Sequence, residues 1–312
     1  MMPYAQKVRL FLFVIAIALV YHWAFHEAWA WWKNRRSGPT ATRRQKWQRR
    51  IAFSLALSGV LAFAYACFVE PYWPKVTHVT LSSSKLQPGS RFRLVHISDL
   101  HSDLKVRLEE RLPDLIAREK PDFVVFTGDA LNEPAGAPIA QRMFTRIASG
   151  APLYAVDGNW ESAHGVTPTL FSAPGARHLD DERIEIKVHE NCITLAATAP
   201  YYFPEKLFAA LPQNEFTILL QHTPDLVEDV AATGRVDLYL AGHTHGGQVA
   251  LPFYGALMTL SKFDKKYEAG LYRVQNTWLY VTRGIGMEGG PMPRLRFWVR
   301  PEIVVIDVVA QT

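Results

Sequence analysis

Cysteine is nearly missing: Cys67 and Cys192 are the two among 312 residues, far apart in the chain. Neither a disulfide framework nor a thiolate zinc cluster is therefore available. Acidic residues are scarce at the start, where residues 1–75 hold Glu27 and Glu70 against 11 Lys and Arg. The remainder holds 27 Asp and Glu against 23 Lys and Arg, so the net charge of +5 belongs to the first quarter alone. A slightly acidic domain lacks the cationic surface that a phosphate backbone demands, which excludes nucleic acid as its partner. Charge of either sign is absent from the 19 residues Ile51 to Val69, close to the ~20 that cross a bilayer.

A second apolar run, Leu10 to Phe25, is followed by Trp29, Trp31 and Trp32, with Trp23 inside it, as in a headgroup-level aromatic belt. Between the two runs lie Lys33, Arg35, Arg36, Arg43, Arg44, Lys46, Arg49 and Arg50 without an acidic residue. The pattern predicts a membrane anchor over residues 1–75, with two transmembrane helices joined by a basic loop. The positive-inside rule puts that loop in the cytoplasm of a bacterial cell and the rest of the chain outside its inner membrane. Pro71 and Pro74 end the second helix, so a soluble domain is expected over residues 76–312.

That domain alternates strand and helix patterns. Arg91–Ile97 reads as a strand ending at Ser98-Asp99-Leu100-His101, and Arg107–Lys120 as a helix with Leu108, Leu112, Leu115 and Ile116 on one side. Phe123–Phe126 is a buried-strand run ending in Thr127-Gly128-Asp129, and a helix over Ile139–Ala148 leads to the strand Leu153–Val156. The latter ends in Asp157-Gly158-Asn159-Trp160-Glu161. Phe216–Leu220 ends in Gln221-His222, and Val236–Leu240 in Gly242-His243-Thr244-His245. Five apolar strands thus finish in metal-ligand residue types, at the end of an α/β sheet where ligands gather. Asp99, His101, Asp129, Asn159, His222, His243 and His245 mix oxygen and imidazole donors, a set suited to divalent Mn, Fe or Zn.

These motifs resemble the calcineurin-like metallophosphoesterase superfamily, whose pattern is DxH, GD, GNH[D/E], a separate His and GHxH. The similarity runs over about residues 90–310 and extends through Gly246-Gly247-Gln248, Gly270-Leu271-Tyr272 and Thr282-Arg283-Gly284, which look like the bacterial membrane-associated branch. The resemblance implies an α/β fold, a four-layer sandwich of two mixed β-sheets flanked by helices. It implies two divalent metal ions, with Mn2+ preferred and Fe2+ or Zn2+ as alternatives. Asp99, His101, Asp129 and His245 would hold one, and Asp129, Asn159, His222 and His243 the other. The reaction so implied is phosphoester or pyrophosphate hydrolysis by a metal-bridging water, with Asp129, Asn159 and His243 as catalytic residues.

One position departs from the pattern. The GNH histidine, credited with stabilising the transition state or protonating the leaving group, is Trp160, whose indole does not titrate near neutral pH. The protein is then a metal-binding pseudoenzyme, or His164 substitutes from the following loop, or the leaving group needs no proton. A pyrophosphate satisfies the last reading, since its leaving group is itself a phosphate ester of low pKa. Together with the anchor this favours a phosphorylated, lipid-linked substrate, with the UDP-2,3-diacylglucosamine diphosphatases of lipid A synthesis as the specific expectation. UDP-linked substrates are cytoplasmic, which conflicts with the orientation given by the basic loop. The alternative is a phosphodiesterase or phosphatase acting outside the membrane on nucleotides or envelope phosphates. Aromatic stretches at Tyr201-Tyr202-Phe203, Phe253-Tyr254 and Phe297-Trp298 suit either core packing or an acyl-chain groove, and Arg283, Arg294, Arg296 and Arg300 either solvent or phosphate.

Overall fold

The computed structural model describes residues 3–35, 41–164, 170–289 and 293–311. Helix α1 (Tyr4–Asn34) and helix α2 (Arg43–Phe68) lie side by side, and both are long and apolar enough to cross a membrane. Helix α2 starts with a capping box, in which Thr42 Oγ1 accepts from Gln45 N and Gln45 Oε1 accepts from Thr42 N. It ends just before a single 3-10 turn, Glu70–Tyr72, that carries Pro71.

Chain order then runs β1 (Lys75–Ser83), β2 (Arg91–Ile97), α3 (Leu112–Arg118), β3 (Phe123–Thr127), α4 (Ala137–Gly150), β4 (Leu153–Val156) and α5 (Asn159–His164). It continues with β5 (Ala176–His178), β6 (Arg183–Val188), β7 (Asn191–Ala197), α6 (Glu205–Ala209), β8 (Phe216–Leu220), α7 (Val227–Ala232) and β9 (Leu238–Ala241). A short hairpin, β10 (Ala250–Leu251) with β11 (Gly255–Ala256), precedes β12 (Gly270–Val274), β13 (Thr277–Val281) and β14 (Glu302–Ala310). One six-stranded sheet has the order β1-β14-β2-β3-β4-β5 and the other β12-β13-β9-β8-β7-β6. Both are mixed: β2 to β5 run parallel with β14 antiparallel to β2, and β7, β8, β9 and β13 run parallel with antiparallel edges at β6 and β12.

Strand alternation decides the layers. On β2 and β3, Phe92, Leu94, Phe123 and Val125 face the second sheet, meeting Ile218, Leu220, Leu238 and Leu240. Val95, Val124 and Phe126 face outward onto Leu112, Ile116, Met143 and Phe144 of α3 and α4. On the far side Leu219 and Tyr239 pack against Phe208, Val227 and Val230 of α6 and α7. The result is the expected helix–sheet–sheet–helix sandwich.

Two elements differ from their sequence patterns. The helix expected from Arg107 begins at Leu112, because Pro113 fits a first turn but would clash with the carbonyl four residues earlier in a longer helix. Before it the chain turns around Glu109, whose carboxylate accepts from Arg107 N at 2.6 Å and Ser102 Oγ at 2.9 Å. Strand β9 starts at Leu238 rather than Val236, whose carbonyl instead accepts from Thr277 Oγ1.

The helices are clipped to the sandwich. Gln6 Oε1 accepts from Thr259 N and Leu260 N, while its Nε2 donates to Thr259 Oγ1 and Ser261 O. Arg9 forms a two-pronged pair with Asp264. At the far end of α2, Ala66 O accepts from Arg296 N at 3.0 Å, and Tyr65 meets Phe297 edge-on. The start of α1 and the end of α2 therefore both rest on the sandwich, opposite the link that carries the basic cluster.

Candidate metal centre

Strands β2, β3, β4, β8 and β9 end on one edge of the sandwich, and the chain turns sharply after each. Asp99, His101, Asp129, His243 and His245 all take left-handed backbone, with φ of 51°, 45°, 59°, 68° and 51°. Such conformations cost on the order of 1 kcal/mol or more each for residues with a side chain, and they concentrate where side chains must be aimed. Glycines make room: a Cβ on Gly158 would collide with the Asp129 carboxylate, and one on Gly242 with Asp99 Oδ2 and Ser98 Oγ.

Six of the seven expected ligands form two buried groups, Asp99 with His101 and His245, and Asp129 with His222 and His243. Within each group one donor atom per residue lies within 4.8 Å of the others. His245 Nε2 is 3.1 Å from His101 Nε2 and 3.4 Å from Asp99 Oδ1. His222 Nε2 is 3.2 Å from both Asp129 Oδ2 and His243 Nδ1. Asp129 Oδ2 also lies 3.6 Å from His101 Nε2, so this one oxygen faces both groups. Asn159, the seventh, opens α5 and keeps its side-chain Oδ1 buried without a hydrogen-bond donor.

Electrostatics follow from burial. Desolvation pushes His101 down to about 4 and His243 down to about 3, and it holds His245 well below its ordinary value, so these rings are neutral at pH 7, as cation ligands must be. Burial also opposes charge on His222, but Asp129 and Asp99 override it and raise its pKa. Asp99 is pushed up by burial, whereas Asp129, equally buried, is held low by His222 and His101. Two carboxylates and four imidazoles converging in a buried site make a charge arrangement that cations complete. The donor set, the orphaned Asn159 oxygen and the facing ring nitrogens fit two divalent metals.

Outer contacts fix the ligands. His222 Nδ1 donates to Thr127 O at 2.7 Å, which leaves Nε2 free to ligate. His243 Nε2 pairs with Tyr201 Oη at 3.1 Å. Glu161, the acidic residue of the Gly158-Asn159-Trp160-Glu161 turn, accepts from Asp129 N, Ala130 N and Gly158 N, tying two ligand loops together. Asn132 Nδ2 donates to His101 O and Met287 O. Fully buried Arg296 places Nη2 3.3 Å from His245 Nδ1 and donates to Gly286 O and Arg283 O, while its backbone N–H donates to Ala66 O of α2.

Residues 92–247 match the calcineurin-like phosphoesterase family. The chain belongs to that family. It is 33% identical to the metallophosphoesterase YkuE of Bacillus subtilis (strain 168) over 274 residues, 81% of this chain and 92% of that protein. With the phosphodiesterase YaeI of Escherichia coli (strain K12) it shares 30% identity over 282 residues, 85% of this chain and 99% of the relative. A solved dimetal phosphatase from Danio rerio is similar at 14% identity and a TM-score of 0.42, covering 67% of this chain and 91% of that one. As a calcineurin-like phosphoesterase, the chain is a metal-dependent phosphoester hydrolase.

Trp160 follows Asn159 on α5, donates its backbone N–H to Asp129 Oδ1 at 2.9 Å and stands edge-on to His101. His164 closes α5, and its side chain lies outside the described residues, as does Arg36 of the basic loop. The arginines divide. Arg296 is internal, Arg300 stacks on Trp73, Arg294 pairs with Asp103, and Arg283 approaches Glu302 at 3.9 Å. Among the aromatics, partly buried Phe203 packs against the core, whereas Phe253, Tyr254 and Trp298 are exposed. Sequence reading missed Asn132 on His101 and Tyr201 on His243, and it left Arg296, which meets His245, between solvent and phosphate, since each arrives from a distant loop. The nearest signal was the glycine-rich stretch Gly284–Gly289, where close backbone approach needs missing side chains.

Proposed function

We propose that the chain is a membrane-anchored phosphoesterase that hydrolyses a lipid-borne phosphodiester or pyrophosphate, with two divalent ions, Mn2+ foremost, held by the seven ligands. Bound cations would polarise the phosphoryl oxygens and acidify a water. The protein's part is geometric: Asp129 faces both ligand groups, the Thr127 carbonyl fixes the His222 ring, and Tyr201 sits on the outer nitrogen of His243, towards incoming substrate. The observation carrying the lipid reading is Arg296, one residue joining the last turn of α2 to a ligand histidine. A centre that close to the end of a spanning helix works at the bilayer surface, where the ester bond of a lipid headgroup lies. UDP-2,3-diacylglucosamine is the specific candidate.

A second reading, an extracytoplasmic phosphodiesterase acting on nucleotides or envelope phosphates, draws support from the two helix ends that rest on the sandwich. They lie opposite the basic link, which the positive-inside rule assigns to the cytoplasm. The test is turnover by detergent-solubilised, Mn2+-loaded protein of UDP-2,3-diacylglucosamine in mixed micelles, a water-soluble UDP-sugar and bis(4-nitrophenyl) phosphate. Preference for the lipid substrate is expected. Equal turnover of the soluble compounds refutes the lipid reading, and no turnover by a protein holding two metals refutes both.

A further inference from the structure

Two aromatic side chains stand in solvent on backbone that residues with a side chain seldom adopt. Phe253, fully exposed, has a φ of 64°, and Trp298, 64% exposed, has a φ of 62°. Each is fixed by a neighbour. Tyr254 N donates to Leu251 O at 3.1 Å, closing a turn with Pro252 at its second position and Phe253 at its third, where glycine is the usual residue. Trp298 N donates to Glu70 Oε2 at 2.8 Å, on the 3-10 turn that follows α2. An exposed ring kept on strained backbone gains little packing from its own chain, so its use lies outside the protein.

Both rings lie where the apolar helices meet the sandwich. Near the start of α1, Arg9 pairs with Asp264, and the adjoining Lys265 reaches the Phe253 turn. Its Nζ donates to Tyr254 O and stands 3.7 Å over the exposed Tyr254 ring. At the end of α2, Phe68 and Val69 are exposed, Tyr65 meets Phe297 edge-on, and exposed Trp73 has the Arg300 guanidinium 3.9 Å over its ring. Arg300 is held there by donating to Trp73 O and Pro74 O, both at 2.9 Å. The two clusters adjoin, because Ala250 N donates to Phe297 O at 2.9 Å and Phe297 N to Gln248 O at 3.1 Å. Each helix end is thus flanked by exposed aromatic rings and by a cation held over a ring. That combination suits the headgroup zone of a bilayer, where aromatic rings sit at the boundary with the acyl chains and Lys or Arg meets phosphate.

We propose that Phe253, Trp298 and Trp73 form a collar on which the sandwich docks against phospholipid headgroups, beside the points where α1 and α2 enter the same bilayer. This rests on the membrane-anchored reading of those helices. The rings enter the boundary between headgroups and acyl chains, and Lys265 and Arg300 meet headgroup phosphates. Gln248, which holds Phe297, lies just beyond the ligand His245, so the docked surface continues into a loop of the metal centre.

The test uses full-length protein carrying Cys67→Ala and Cys192→Ser and one spin-labelled cysteine, in nanodiscs of phosphatidylethanolamine and phosphatidylglycerol. Collision rates of the label with lipid-soluble oxygen and with a water-soluble nickel chelate are compared. The labelled variants are Phe253→Cys, Trp298→Cys, Leu57→Cys in the middle of α2, and Glu185→Cys on β6, the far edge of its sheet. Oxygen-to-nickel ratios at Phe253 and Trp298 should lie between the water-like value at Glu185 and the lipid-like value at Leu57. Adding Phe253→Glu and Trp73→Glu should shift the ratio of the label at position 298 towards the Glu185 value, because headgroup phosphates repel the new charges. Ratios at Phe253 and Trp298 equal to that at Glu185, with Leu57 lipid-like, overturn the collar and leave the anchor standing. Spin–spin broadening at Trp298, the mark of a second copy seated there, overturns it as well. A water-like ratio at Leu57 would instead sink the anchor reading beneath it.

Discussion

His96 lies between the sheets with Nε2 2.8 Å from Thr127 Oγ1 and Tyr280 edge-on, fully buried and without an acidic partner among the described residues. Desolvation pushes its pKa down to about 3, against about 6.5 in an unfolded chain. Between those values the unfolded state binds a proton that the folded state refuses, so stability is intact above pH 6.5 and falls as pH drops towards 3. By pH 5 the loss from this one ring is about 2 kcal/mol, at about 1.4 kcal/mol per pH unit. Urea midpoints of His96→Gln should therefore fall less between pH 7 and pH 5 than those of the unmodified chain, by that amount. Parallel curves for the two proteins would refute the assignment. Neither the ring's burial nor its lack of a counter-charge is visible in Arg91–Ile97 as a string, because both depend on strands β3 and β13 crossing over it.

At the scale of elements, the α1 clip couples a helix to a loop more than 250 residues away. Gln6 uses both its carbonyl and amide on Thr259, Leu260 and Ser261, so removing it leaves buried backbone donors unpaired. In the Gln6→Ala, Arg9→Ala double variant, amide exchange across Leu257–Lys266 should quicken by about tenfold or more while β3 keeps its protection. Unchanged exchange in that loop would show that the contact adds nothing. Elements also mark where sequence was legible. Strands β2, β3, β4 and β8 stood out because each is a short apolar run closed by Asp, Asn or His, and these runs also placed the ligands. Helix α3 was overextended because Leu108 keeps helical spacing while sitting in a turn organised by Glu109. Arg296 was left between solvent and phosphate because nothing local says that Gly286 O, Arg283 O and His245 surround its guanidinium. Trp160 was conspicuous as a departure, but only the folded chain brings its backbone N–H to Asp129 and its ring edge-on to His101.

For the whole molecule, the contacts of Gln6, Arg9 and Ala66 place the start of α1 and the end of α2 against the sandwich. The proposed anchor makes a definite topological prediction. Alkaline phosphatase fused after Thr312 should be active in cells and a fluorescent-protein fusion at the same point dark, if the basic link is cytoplasmic. The reverse pattern would place the centre in the cytoplasm and remove the objection to a UDP-linked substrate.

The left-handed backbone at five ligands governs how this protein can be disarmed. Alanine at Asp99 or Asp129 would keep a Cβ in a conformation it tolerates poorly, with no side-chain hydrogen bond to compensate. Asparagine accepts that conformation readily, keeps the shape and loses the charge that holds a cation. Asp129→Asn is thus the route to a folded, inert protein able to retain its uncleaved substrate through purification, where the bound molecule could be identified directly by mass.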